Sequence, residues 1–286
     1  MNQPPLLKNL AGDPVLRNVK LIAEAWDAGG LYQVGSFPAY TRWAEWNGKY
    51  RDDMRSFLKG DYWFAQAAAN RLTGSLDLYT GQYKGYDSSI NFLTCHDGFS
   101  LWDLYSYNGK HNEANGWNNS DGADDNRSWN CGVEGETTDP EIRKLRLRMM
   151  KNACMTLMCS RGTPMFLAGD EFGDTRFGNN NPYCQDNEIT WLDWRMTSAK
   201  TEILEYVKKL IAFRRKHPVL HQGRELYMFD SLSCGMPDVS IHGTQAWKAD
   251  FSYYSRMLAV LLYGDYRKKD DGTADDSLYV LGITFL

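Results

Sequence analysis

The feature that most constrains this chain is a short, mostly apolar run that ends in acids. Residues 19–23 read as a buried strand, and Glu24, Ala25, Trp26, Asp27 and the pair Gly29-Gly30 follow. In a barrel of parallel strands the C-terminal strand ends point into the active site, so an acid placed there is a candidate for chemistry. On this stretch alone a turn or helix-capping acid is an equal alternative, because acids after strands often cap helices.

A second stretch repeats the design. Ser89-Ile90-Asn91-Phe92-Leu93-Thr94-Cys95-His96-Asp97-Gly98-Phe99 is a β-rich apolar run with a polar tip. Two strands that each bring an acid and an aromatic residue to one rim suit glycoside chemistry. One carboxyl protonates the glycosidic oxygen, while others bind sugar hydroxyls or stabilise positive charge on the ring.

Residues 21–27 and 91–99 resemble the third and fourth signature regions of the α-amylase superfamily, glycoside hydrolase family 13. Tyr32-Gln33-Val34-Gly35-Ser36-Phe37-Pro38 and residues 43–53, beginning Trp43-Ala44-Glu45-Trp46-Asn47-Gly48, resemble its isoamylase and glycogen-debranching branch. So do His111-Asn112-Glu113-Ala114-Asn115-Gly116 and residues 178–187, Gly178 to Asn187. In that family the nucleophile is an aspartate at the end of the fourth barrel strand, in a Phe-Arg-Phe-Asp-like string, and a third-strand motif carries a histidine. Neither string occurs here, and residues 1–7 resemble the segment just after that fourth strand. The resemblance therefore implies an α/β fold: the C-terminal half of a (β/α)8 TIM barrel, about strands 5 to 8, over residues 1–220. The start of a C-terminal antiparallel β-sandwich domain follows over residues 221–286.

The resemblance also implies roles. Glu24 is the general acid/base, which needs a raised proton affinity that partial burial beside Trp26 would supply. Asp97 is the transition-state stabiliser, and His96 donates a hydrogen bond to the same sugar. Trp26 either stacks on a sugar ring or packs in the core. Asp186 and Asn187 either line a subsite beyond the scissile bond or serve structure. Asp170 and Glu171 brace loops, and Asp27 is not read as a replacement nucleophile, so this chain has none. The implied activity is hydrolysis of α-1,6 branch linkages in glycogen or starch with retention, without turnover by this chain alone. Other α-glucan hydrolases or transglycosylases of the superfamily, or a non-catalytic glucan-binding subunit, are the alternatives. The partners are an α-glucan (glycogen, amylopectin or limit dextrin) and a missing N-terminal half. No cofactor and no catalytic metal are expected, any calcium being structural; residues 121–125 fail the EF-hand spacing. The location expected is the cytoplasm, or the plastid in a plant or alga.

Composition agrees with a globular chain. At 286 residues the length allows one large or two ordinary domains, and 43% hydrophobic residues suffice for a sizeable core. Ten Trp and seventeen Tyr are many for this length; core packing accounts for most, and stacking on sugars for part. A net charge of −4 favours neither nucleic acid nor an anionic membrane. No apolar run approaches the roughly 20 residues of a membrane span, and no secretion signal is visible. Cys95, Cys131, Cys154, Cys159, Cys184 and Cys234 form no Cys-x-x-Cys pair, so they read as reduced thiols rather than as a metal site or disulfide framework.

Along the chain, helices are expected at 6–13, 51–59, 62–73, 139–162 and 198–216, and strands at 15–25, 41–47, 89–95 and 164–169. The order is that of a parallel sheet with outer helices. The loop 74–87 and the polar loop 173–190 separate these elements. Residues 107–138, rich in Asn, Gly, Asp and Glu, exceed ordinary loop length and read as a wall of a substrate cleft. After residue 220, strands at 238–242, 257–263 and 277–285 follow, with a helix conceivable only near Trp247.

Overall fold

The computed structural model describes residues 4–38, 40, 42–79, 85–221 and 223–283. Parts of the expected segments, namely residues 1–3, 41, 80–84 and 284–285, lie outside the described residues. Four parallel strands run in chain order: β1 (Leu21–Ala23), β2 (Trp43–Trp46), β3 (Ser89–Asn91) and β4 (Thr163–Pro164). Ala23 pairs with Glu45, Glu45 with Ser89, and Asn91 with Pro164, so the C-terminal strand ends share one rim.

The strands are shorter than the apolar runs that announce them. Residues 15–17 turn rather than extend, because the Asp13 carboxylate accepts the Val15 N–H and the Arg17 N–H bonds back to the Pro14 carbonyl. β4 spans two residues, although the Met165 N–H still donates to the Asn91 carbonyl at 2.8 Å before the chain turns.

The helices are α1 (Pro5–Gly12), α2 (Gly48–Lys59), α3 (Phe64–Leu72), α4 (Leu101–Leu104), α5 (Pro140–Cys159) and α6 (Ser198–Lys216). α2 begins earlier than its composition suggests, because Asn47 caps it. The Asn47 side-chain oxygen accepts the Tyr50 N–H at 2.8 Å, and its amide donates to the hydroxyls of Ser75 and Ser89. Gly48 has no room for a side chain: a Cβ would sit 2.7 Å from the Tyr32 hydroxyl oxygen. α3 begins later, at Phe64, since Trp63 takes a left-handed φ of 71°. α5 starts as expected, with the Asp139 carboxylate on the Glu141 and Ile142 N–H groups and Pro140 in the first turn. It ends at Cys159 rather than 162. There the Arg214 guanidinium of α6 donates to the carbonyls of Met158, Ser160 and Gly162 at 2.6, 2.8 and 2.7 Å.

A three-stranded antiparallel sheet follows: β5 (Val239–His242), β6 (Met257–Leu262) and β7 (Leu278–Ile283). Around Trp247 the chain makes a turn closed by a Gln245–Lys248 bridge, not a helix. Val239, Leu258, Val260 and Leu262 share one apolar core with Tyr50, Phe57, Ala68 and Leu157. Buried His217 and Asp275 meet at 3.2 Å, tying the end of α6 to the turn before β7. On the β1 side the surface is apolar: α1 has no buried residue, and Leu6, Val15, Val19 and Ile22 are exposed. Among the described residues no helix is long and apolar enough to cross a membrane.

Candidate active site

Glu24 follows the end of β1, while His96 and Asp97 stand on the segment after β3. One ligand atom from each of the three lies within 4.8 Å of the others, and all three residues are exposed. Two carboxylates and an imidazole thus converge from neighbouring parts of the rim. His96 Nε2 is 3.5 Å from Asp97 Oδ1, too long for a good hydrogen bond, so both groups keep capacity for a ligand. The partial burial expected for Glu24 beside Trp26 is absent. The Trp26 ring is half-buried between exposed Tyr32 and buried Phe92, with centroids 6.1 and 6.5 Å away. Phe92 also meets Trp46, which in turn meets the His96 ring, both at 5.6 Å, so an aromatic floor underlies the trio. The Asp27 carboxylate accepts the N–H groups of Gly29 and Leu31 at 2.8 and 3.0 Å and shapes a turn.

The segment that carries Asp97 is held from several sides. Asp170, buried in the short helical turn that follows β4, accepts the Thr94 hydroxyl and the Leu101 N–H, so it braces a loop as its sequence position suggests. Burial pushes its carboxyl up to about 6. Asp103 receives the Thr175 hydroxyl and the Arg176 and Gly178 N–H groups, and burial pushes it to about 6 as well. Arg55, on α2, donates to the carbonyls of Leu93 and Asn126 at 2.7 and 3.0 Å. Desolvation lowers this guanidinium to about 10.

Residues 107–138 form a structured wall. Buried Arg146 of α5 donates to the carbonyls of Asn130 and Val133. Asn112 and Asn180 exchange hydrogen bonds at 2.8 and 2.9 Å, and the Asn180 amide also reaches the Ala123 carbonyl and Asn126. Asp121 accepts from Asn115 and Asn181, both at 2.8 Å, hydrogen bonds that hold its carboxyl below its ordinary value. The wall is therefore latched to the loop 173–190 by side chains of the two strings that carry the resemblance, to which sequence reasoning gave no individual role. The clustering of Asn in both strings was the available signal, but not the pairing.

Asp186 and Asn187 are bound within their own turn. Asp186 accepts the Trp191 indole N–H at 3.0 Å, and Asn187 accepts the Ile189 N–H while donating to Gln185. Among the described residues two trios are spaced closely enough to share a cation, Glu24–His96–Asp97 and His217–Asp275–Asp276. The six cysteines are all free thiols.

The fold defines a class first. The pullulanase from Bacillus acidopullulyticus superposes with a TM-score of 0.62 over 96% of this chain and 29% of its own, at 17% identity. A Paenibacillus barengoltzii pullulanase, solved with maltohexaose and α-cyclodextrin, gives 0.59 over 94% of this chain and 37% of its own, at 21% identity. Such identities show the fold alone, the α/β architecture of these glucan-enzyme structures. No family model matches the chain.

The sequence relatives are much closer. A glycogen operon protein GlgX homologue of Mycobacterium tuberculosis is 54% identical over 213 residues, 74% of this chain and 29% of the relative. Isoamylase SU1 of Zea mays is 44% identical over 263 residues, 90% and 32% of the two chains. The glycogen debranching enzyme of Pectobacterium carotovorum is 50% identical over 220 residues, 76% and 33%. The chain belongs to the isoamylase and glycogen-debranching branch of the α-amylase superfamily, and it spans about a third of the length of these relatives.

Proposed function

We propose that this polypeptide is the part of an α-1,6-glucan debranching hydrolase that carries its proton-transfer and sugar-gripping groups. The observation that carries the reading is the convergence of Glu24 with His96 and Asp97 within 4.8 Å on one rim of a parallel sheet. Glu24 protonates the leaving glycosidic oxygen and then takes a proton from the attacking water. Asp97 grips hydroxyls and stabilises positive charge on the ring, and His96 donates to a hydroxyl of the same sugar. The nucleophilic carboxylate comes from polypeptide outside these residues, as do the strands that close the barrel. On this reading β1–β4 are strands 5 to 8 of eight within residues 1–220, and β5–β7 open a sandwich domain over residues 221–286.

The substrate is a branched α-glucan such as glycogen, amylopectin or limit dextrin. Relatives named isoamylase and glycogen debranching enzyme support this, as does a structural neighbour solved with maltohexaose. The site of action is the cytoplasm, or the plastid in a plant, in line with relatives described as chloroplastic. The test is release of reducing ends from glycogen and limit dextrin. The 286-residue chain alone releases none. Joined to the N-terminal portion of a relative it does, and Glu24→Gln then lowers the rate by roughly 10²–10⁴-fold, the usual contribution of a general acid. Full turnover by the chain alone, or an active Glu24→Gln variant, overturns the reading.

A further inference from the structure

A second concavity shares no lining residue with the Glu24–His96–Asp97 trio. It encloses about 570 Å³ between α4, α5, the start of α6 and the loop after β4. That is within the roughly 300–1,000 Å³ typical of small-ligand sites. Trp102, Phe177 and Trp191 present aromatic surface to it, and Glu136 and Glu188 present carboxylates.

Both indole N–H groups are already committed. Trp102 Nε1 donates to Glu136 at 3.2 Å and Trp191 Nε1 to Asp186 at 3.0 Å, which fixes both rings; Trp102 packs against the core, while the Trp191 ring stands exposed. Trp191 is 61% exposed, yet its turn is tightly bonded. Its own N–H reaches the Asn187 carbonyl at 2.9 Å, and the neighbouring Thr190 hydroxyl reaches the Gln185 carbonyl at 3.0 Å. A large aromatic side chain held rigid in solvent is pre-organised for stacking, since little rotamer freedom is lost on binding. The charges nearby do not select an ion. The lining mixes both signs, with Arg143, Arg195 and Lys200 beside Glu136, Asp174, Glu188 and Asp193, and Asp193 is paired with Arg195 at 2.8 Å and Lys200 at 3.3 Å. What fits is a neutral ligand with apolar faces and hydroxyl edges.

We infer that this cavity is a second α-glucan-binding site, in which Trp191 is the stacking platform and Glu136 and Glu188 accept sugar hydroxyls. The choice of sugar rests on the debranching reading above. Asp186 is then a positioning residue that acts through the Trp191 ring.

The test titrates the purified chain with maltohexaose, followed by calorimetry and tryptophan fluorescence. Trp191→Ala weakens binding at least tenfold, whereas Trp191→Phe keeps most of it and shows that loss of stacking, not of folding, is responsible. Trp247→Ala, on an exposed turn outside the lining of the cavity, changes nothing. Absence of saturable binding, or wild-type affinity in Trp191→Ala, overturns the inference. The two readings fail separately. Trp191-dependent binding without any hydrolysis by the extended enzyme sinks only the debranching assignment. Hydrolysis with binding indifferent to Trp191 sinks only the second site.

Discussion

The N–H of Gly98 donates to the carbonyl of Asn180 at 2.8 Å, so the residue after Asp97 hangs from a loop far along the chain. Asn180 is almost wholly buried, and its side chain gathers Asn112, Ala123 and Asn126 around it. The position of Asp97 is thus tied to the wall as well as to its own strand. A change in that latch reaches the candidate chemistry without touching it.

Gly122 exposes the latch to a simple test. Its φ is +72°, and a Cβ there would stand 2.3 Å from Asn180 Oδ1 and 2.7 Å from Asn112 Nδ2. Gly122→Ala combines backbone strain with displacement of two buried amides, for a loss of roughly 2–3 kcal/mol. Asn180→Ala, which leaves Asn112 and Asn126 short of partners, costs a similar amount. Urea unfolding curves measure both, and two losses below about 0.5 kcal/mol would show that the latch does not sustain the wall.

Asp170 ties stability to pH with a definite sign. Burial raises its carboxyl from 3.8 to about 6, so between these values the folded chain holds a proton that the unfolded chain releases. Lowering pH from about 7 to 4 therefore adds stability through this group, up to about 3 kcal/mol. Asp170→Asn cannot titrate. Thermal unfolding at pH 7, 5.5 and 4 should show wild type gaining on the variant as pH falls; parallel curves would contradict this.

The thiols sort by burial. Cys184 and Cys234 are exposed, while Cys95, Cys131, Cys154 and Cys159 are buried. Desolvation pushes Cys131 to about 12 and Cys159 to about 11, and raises Cys95 and Cys154 as well. Thiolate is the reactive form, so a disulfide-exchange reagent should titrate two thiols in the native chain and six in guanidinium. Cys184→Ser and Cys234→Ser should each leave a single fast thiol, and a second fast thiol in either variant would refute the buried assignment.

Local patterns were legible in proportion to how local their causes are. Asp139-Pro140-Glu141 announced the start of α5, because a cap and a first-turn proline act within four residues. The run 198–216 announced α6 to the residue. The strand expected over 15–25 shrank to Leu21–Ala23, since Asp13 captures the backbone of residue 15 in a turn. The early start of α2 depended on Asn47 being held by Ser75 and Ser89, contacts that exist only after folding. The same holds at the rim. The strand-then-acid pattern picked out Glu24, His96 and Asp97, but Arg55, Asp103 and Asn180 matter through partners distant in sequence. Asp186 was visible as a polar residue in a suggestive string, yet its hydrogen bond to Trp191 was not.

The sequence by itself determined where the strands end in acids, and so which residues could meet on a rim, because side-chain chemistry and strand periodicity are properties of adjacent residues. Only the tertiary structure decided that Glu24 stays exposed while Asp170 and Asp103 are buried. It alone decided that an asparagine latch holds Asp97, because burial and hydrogen-bond partnership depend on which distant segments pack together.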